Sequence, residues 1–428
     1  MFNNIFPKNL NTLKNIITSL HSRNYRLYFI GQGISLIGTW MQNIALSWLI
    51  YRLTGSVFLL GLIGFTSLIP TFVLSPFTGV LTDSFDKHKI MIITQIFFML
   101  LALIMTILVL FEKIEVWHII TLSLLSGIVT AFDAPARQSL VSELIDNPEE
   151  IGNAVALNSA IFNGARLIGP AIAGITIAAV GEGICFLINT LSFVAVIIAL
   201  LKMKISVKRS HLKHSNFSNN LREGFNYTFQ SVPIRTLIFL LAILSLVGLP
   251  FVVLLPAYAK EILNGGSDTL GYLMSSLGAG SLLGAIYMAA RISPIGLCRI
   301  ISNNTLFLGI ALILSSLTDI LNLTLIIFFI GGISMILTLS AINTMLQIIS
   351  EDAKRGRVMS FYAMALMGTS PIGNLLAGSI ASGIGIPKTL FICGIITLFS
   401  GIWFEFNRKS LQKYVNPIYI EKGILQVF

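Results

Sequence analysis

The run Gly152-Asn-Ala-Val-Ala-Leu-Asn-Ser-Ala-Ile-Phe-Asn-Gly164-Ala-Arg166-Leu-Ile168-Gly169-Pro170-Ala-Ile-Ala173-Gly174 matches the stretch 204 residues later, without a gap, at six positions. Gly152 falls on Gly356, Gly164 on Gly368, Ile168 on Ile372, Gly169 on Gly373, Ala173 on Ala377 and Gly174 on Gly378. A helix repeated at this distance in a chain of 428 residues divides it into two similar halves. The copies lie in the fifth and eleventh apolar runs, an even offset of six, so both point the same way, giving a parallel repeat about an axis along a membrane normal.

The membrane follows from composition. The chain is 55% hydrophobic and only 11% charged, with mean hydropathy +0.86, which leaves too little polar surface to face water. A hydrocarbon core of about 30 Å takes roughly 20 helical residues. Apolar runs of that size lie near 27–50, 57–80, 90–111, 117–136, 152–180, 183–201, 236–259, 270–290, 300–318, 323–343, 358–383 and 389–406. The expected fold is an all-α integral membrane protein, with twelve transmembrane helices in two six-helix bundles.

The net charge of +10 points to the positive-inside bias rather than to nucleic acid. With the N-terminus inside, only Arg52, Lys113, Lys260 and Lys388 fall on the outer side, and Arg166 lies within a span. Every other lysine and arginine then lies on the cytoplasmic side, together with both termini. The domain expectation is an N-terminal bundle over 1–201, a basic linker over 202–233, a C-terminal bundle over 234–406 and a cytoplasmic tail over 407–428. The first 26 residues lack the pattern of a cleavable signal peptide. Ile16 to Leu27 reads either as an interfacial stretch or as a tether.

Two parallel bundles suit alternating access around a midplane site. No GxxxxGK[ST] loop is present, and Gly33 to Gly38 lacks the lysine, so the energy source would be a gradient rather than a nucleotide. Cys185, Cys298 and Cys393 are far apart in apolar runs, and His211 with His214 sits in the linker, so neither a disulfide framework nor a metal site is expected. Nor is there a convergent nucleophile–base set; a membrane-embedded enzyme or sensor is the remote alternative.

Four stretches carry a family resemblance: Gly38-Thr-Trp-Met-Gln-Asn43, Tyr51-Arg-Leu-Thr-Gly-Ser56, Ala131-Phe-Asp-Ala-Pro-Ala-Arg-Gln138 and Gly169-Pro-Ala-Ile-Ala-Gly174. Together they resemble the major facilitator superfamily, and within it the bacterial transmembrane secretion effector branch, with its enterobactin-exporter-like and macrolide-efflux-like proteins. The resemblance implies the major facilitator fold and a multi-pass protein of the bacterial cytoplasmic membrane that works as a monomer. It implies export of a small amphipathic compound, a siderophore or a hydrophobic drug, by proton antiport without a cofactor. A gradient-independent facilitator or a lipid-handling flippase is the alternative.

The turn Gly79-Val-Leu-Thr-Asp83-Ser-Phe-Asp86-Lys87-His-Lys89 is similar to the superfamily's cytoplasmic signature, which implies a conformational latch. An acid at the membrane edge accepts charge-assisted hydrogen bonds, and Arg357 is the partner considered for Asp83. Ser84 and Asp86 depart from the usual arginine and glycine. Gly169, Pro170 and Gly174 are similar to the fifth-helix signature of the superfamily's antiporters. Small residues let helices approach, and proline permits a bend; the same residues also serve plain tight packing.

A charge such as Arg166 at mid-membrane costs several kcal/mol or more and so must face a cavity or a partner; binding a substrate and a purely structural role are both open. Asp133 either titrates in proton coupling or pairs with Arg137 one turn on. Related proteins often have an acid in helix one, where this chain has Thr39, Gln42 and Asn43. These, with Trp40, Asn158 and Asn163, are candidates either for a substrate cavity or for interhelical hydrogen bonds.

Overall fold

A computed structural model describes residues 18–145, 147, 150–203, 225–291, 293–352 and 354–425. Among them are twelve long helices. The first six are α1 (Arg23–Thr54), α2 (Val57–Ser84), α3 (Lys87–Leu110), α4 (Val116–Glu143), α5 (Ile151–Val180) and α6 (Glu182–Leu201). The second six are α7 (Val232–Glu261), α8 (Ser267–Ala290), α9 (Leu297–Ser316), α10 (Leu321–Ile349), α11 (Arg355 to Ile384) and α12 (Ile386–Glu421). Ten are long and apolar enough to cross a membrane. The other two are diluted by polar residues: α1 by Gln32, Thr39, Gln42 and Asn43, and α11 by Ser360, Thr369, Ser370 and Asn374.

Several boundaries differ from those expected. The span at 236–259 is a composite in which the α-helix Val232–Ile243 passes through a π-turn, Leu244–Gly248, and a 3-10 turn, Pro250–Leu254, into Leu255–Glu261. Pro250 and Pro256 each lack the N–H that a continuous ladder needs. The span at 358–383 is likewise split by a π-turn at Met364–Gly368. The last helix does not stop at 406 but continues to Glu421, so most of the expected tail is helical. Most of the linker lies outside the described residues; its described end holds a short helix at 225–230. Thr18–His21 forms a 3-10 turn, and the Ser19 N–H and hydroxyl donate to Asn153 Oδ1 at 3.1 and 2.6 Å. The pre-helix stretch is therefore anchored to α5 rather than acting as a loose tether.

The described residues form two compact units. One takes its members from Met1–Leu53, Ile69–Leu212 and Gly266–Ser275, the other from Thr54–Leu68, Lys213–Gly265 and Ser276–Phe428. The start of α2 thus belongs with the C-terminal helices and the start of α8 with the N-terminal ones. In the first unit α3 packs on α4 and α6; in the second, its counterpart α9 packs on α10 and α12. Phe98 stacks on Phe193 at 5.7 Å between α3 and α6. Gly309 and Gly394 let α9 meet α12 backbone to backbone: a Cβ on Gly309 would lie 2.6 Å from Leu398 N. The same helix pairing in both units is the duplication expressed in packing.

The two π-turns are bonded to each other. Ser245, inside the turn of α7, donates from Oγ to the Leu366 carbonyl inside the turn of α11 at 2.5 Å. Thr369 returns a bond from Oγ1 to the Ala242 carbonyl at 3.3 Å. A π-turn frees backbone carbonyls that apolar surroundings cannot satisfy, and each helix supplies the hydroxyl that the other lacks. Ser245→Ala is expected to cost about 1–3 kcal/mol through the stranded Leu366 carbonyl. Thr369→Val on top should add less than it costs alone, a difference read from thermal unfolding of the purified single and double variants.

Candidate functional site

Asp133 lies in α4, two residues before the internal Pro135, and is only 4% exposed. Its Oδ1 accepts from Thr94 Oγ1 at 2.9 Å and from Gln95 Nε2 at 2.8 Å, both on α3. Arg137 Nε stands 3.6 Å from Oδ2. Tyr28 of α1, whose hydroxyl donates to Asn158 Oδ1 at 3.4 Å, is within electrostatic reach of both charges. The helix-end ion pair is therefore present, but as one edge of a buried cluster that ties α4 to α3. Thr94 and Gln95 were not singled out in the sequence. Their signal there is an adjacent polar pair in α3, otherwise among the most apolar helices of the chain.

Arg166 on α5 sits over Trp40 on α1, with its guanidinium carbon 5.7 Å from the indole centroid. Phe162, one turn earlier, meets the same indole edge-on at 6.1 Å. Gly169 makes this possible, because a Cβ there would lie 2.5 Å from Trp40 Cβ and 3.1 Å from the Ile37 carbonyl. Trp40 is thus packed between helices, and cation–π attraction holds the charge on its face.

The amides divide. Gln42 Oε1 accepts from Asn189 Nδ2 on α6 at 2.7 Å, with Ser192 Oγ donating to Asn189 Oδ1 at 3.0 Å; Gln42 is interhelical glue, and Asn189 is the buried partner the sequence reading missed. Asn163 Nδ2 donates to the Ser159 carbonyl of its own helix at 2.8 Å. Asn43 is exposed on α1.

In the α2–α3 turn, Asp86 is the N-cap of α3: its carboxylate accepts from the His88 and Lys89 N–H groups at 3.0 and 3.3 Å. That local role accounts for an acid where the family pattern has glycine. Lys87 Nζ meets Glu143 Oε1 at 2.5 Å, and His88 Nε2 bonds the Leu200 carbonyl at 2.9 Å. Lys89 is exposed. Gly79 and Asp83 lie in α2, but their side-chain surroundings fall outside the described residues, and with them the expected Asp83–Arg357 pairing. Arg357 stands in the first turn of α11.

Gly174 and its repeat mate Gly378 occupy equivalent crossings. A Cβ on Gly174 would lie 2.9 Å from both Gly271 Cα and the Ser267 carbonyl of α8; on Gly378 it would lie 2.8 Å from Gly61 Cα and 2.9 Å from the Val57 carbonyl of α2. On the facing side, Gly271 abuts the Pro170 carbonyl and Gly61 the Asn374 carbonyl, each four residues before the crossing glycine. Ser267 Oγ adds a bond to the Gly174 carbonyl at 3.4 Å. The 204-residue repeat is therefore also a repeat of contact, and it brings in glycines of α2 and α8 that the sequence reading passed over. Among the described residues, no three His, Cys, Asp or Glu side chains are close enough to hold a metal ion.

Comparison with known proteins agrees with this architecture. The family model described as "Transmembrane secretion effector" matches residues 16–414. The chain is 26% identical over 388 residues to the staphyloferrin A transporter of Staphylococcus aureus, covering 90% of this chain and 97% of that protein. It is 22% identical over 383 residues to macrolide efflux protein A of Streptococcus pyogenes, covering 88% and 94%. Among solved structures, a POT family transporter in complex with a thioalcohol-conjugated peptide aligns with TM-score 0.74 at 12% identity, covering 91% and 96%. A bacterial homologue of the iron transporter ferroportin aligns with TM-score 0.67 at 17% identity, covering 92% and 98%. A multi-pass membrane transporter rather than an enzyme, the chain belongs to the transmembrane secretion effector family of the major facilitator superfamily.

Proposed function

We propose that this transporter exports a small amphipathic compound, a siderophore or a hydrophobic drug, from the cytoplasm by proton antiport, with Asp133 carrying the coupling proton. The observation that carries the reading is the buried cluster of Asp133, Thr94, Gln95 and Arg137 across α3 and α4. A carboxylate at that position holds two donors and a guanidinium; a protonated one releases charge from Arg137 and becomes a donor itself. Gln95 can serve both states. Its Nε2 faces the carboxylate, and its buried Oε1 has no hydrogen-bond partner among the described residues, so a turned amide would accept from the protonated acid. Binding and release of a proton thereby changes how α4 is held to α3.

Arg166 on its Trp40 shelf is the cargo contact in this reading. A guanidinium in an apolar span gains most from meeting an acidic oxygen, which favours the siderophore among the two cargo classes, and one relative is the staphyloferrin A transporter of Staphylococcus aureus. The α5–α8 and α2–α11 glycine crossings are the parts that must separate in alternating access. The protein works as a monomer in a bacterial cytoplasmic membrane with both termini cytoplasmic, takes its energy from the proton gradient alone, and has no nucleic-acid partner.

In proteoliposomes with an imposed pH gradient, gradient-driven cargo movement by the wild type should be lost in Asp133→Asn, while cargo exchange without a gradient persists. Equal transport with and without a protonophore would replace antiport by the facilitator or flippase reading. Arg166→Gln should lose cargo affinity and Arg166→Lys retain part of it; wild-type transport by both at normal surface expression removes Arg166 from the site. Gly174→Val or Gly378→Val should disfavour the closed crossing by about 1–3 kcal/mol, roughly 5- to 150-fold in population. Accessibility of a cysteine at Ser267 or Val57 to a membrane-impermeant thiol reagent would report it.

A further inference from the structure

Away from Arg166, the first unit carries an open groove of about 620 Å³ walled by α2, α3 and α4 and almost wholly apolar. Along α3 its wall is the stripe Ile93, Phe97, Leu100 and Ile104, each more than a third exposed. Ile90 to Ile104 covers about 21 Å of helix rise, whereas one leaflet of the hydrocarbon core is about 15 Å deep. The groove is long enough to take an extended acyl chain along its length.

Its end at the α2–α3 turn is basic, and the geometry says which cation serves it. Lys87 is committed to Glu143, and His88 to the Leu200 carbonyl. Lys89 is exposed and, among the described residues, makes no ion pair. It lies four residues before Ile93 and eight before Phe97, so it continues the groove stripe one turn toward the membrane edge. A lysine there extends its stem along apolar surface and leaves its ammonium at headgroup level.

We propose that this groove is a binding site for one anionic phospholipid, with an acyl chain along Ile93, Phe97 and Leu100 and the phosphate on Lys89. Charge selects the occupant: a zwitterionic lipid has its own ammonium to neutralise the phosphate, whereas an anionic one keeps a net charge for Lys89. Thr94 forms part of the groove wall and also donates to Asp133, so the bound chain lies against the coupling cluster. The site does not depend on the antiport reading.

The test is quenching of a tryptophan introduced by Phe97→Trp, scored as the increment over the parent protein, in vesicles containing brominated phosphatidylglycerol or brominated phosphatidylcholine. The anionic lipid should bind about fivefold more tightly at the Phe97→Trp reporter, the factor one lysine contributes near an anionic surface. Lys89→Gln should equalise the two lipids, and Lys89→Arg should keep the preference. A reporter at Ile326→Trp, exposed on α10, should show none. Equal quenching by both lipids at Phe97→Trp, or a preference that survives Lys89→Gln, overturns the proposal.

Discussion

A helix in hydrocarbon gains nothing by hiding leucine from lipid, so its neighbours must be found by close backbone approach and by polar bonds that lipid cannot supply. This constraint organises the molecule. Glycine is the contact residue at α9–α12, α1–α5, α5–α8 and α2–α11, where carbonyls or Cα atoms of the facing helix occupy the space a side chain would need. Three of these approaches involve α5 or its repeat mate α11, which explains why the duplication is most visible in those two helices.

The second half of the constraint concerns groups that water would otherwise satisfy. Several polar groups in the apolar interior are answered by a neighbouring helix: Asn189 by Gln42, Asp133 by Thr94 and Gln95, the Leu366 carbonyl by Ser245. Arg166 is answered by the face of Trp40. These bonds join helices within a unit, so polar chemistry and helix pairing are the same event here. The proposed coupling uses that identity: a proton on Asp133 alters a helix contact because the acid is itself part of the contact.

The α2–α3 turn shows how one sequence feature divides between roles. Asp86 caps α3, Lys87 and His88 tie the turn to α4 and α6, and Lys89 faces outward. The described end of a stretch that resembles a single signature, Asp86 to Lys89, is thus, in space, three local anchors and one exposed charge.

The helix count, the membrane, the duplication and the superfamily were all legible in the sequence, because bilayer thickness sets a length, lipid sets a composition, and duplication leaves a register. Arg166 and Asp133 stood out there because a charge in an apolar run is costly wherever it points. Their partners did not. Thr94, Gln95, Asn189, Gly61 and Gly271 are ordinary residues in apolar helices, and each acquires meaning only from the helix that faces it. The π-turns of α7 and α11 are legible only in part: Pro250 marks the break in α7, but that the two turns bond each other through Ser245 is decided by the facing helix. Sequence alone determined what crosses the membrane and which charges need an answer; tertiary packing decided which helix gives it, because in lipid the specificity lies in facing surfaces and not in the single helix.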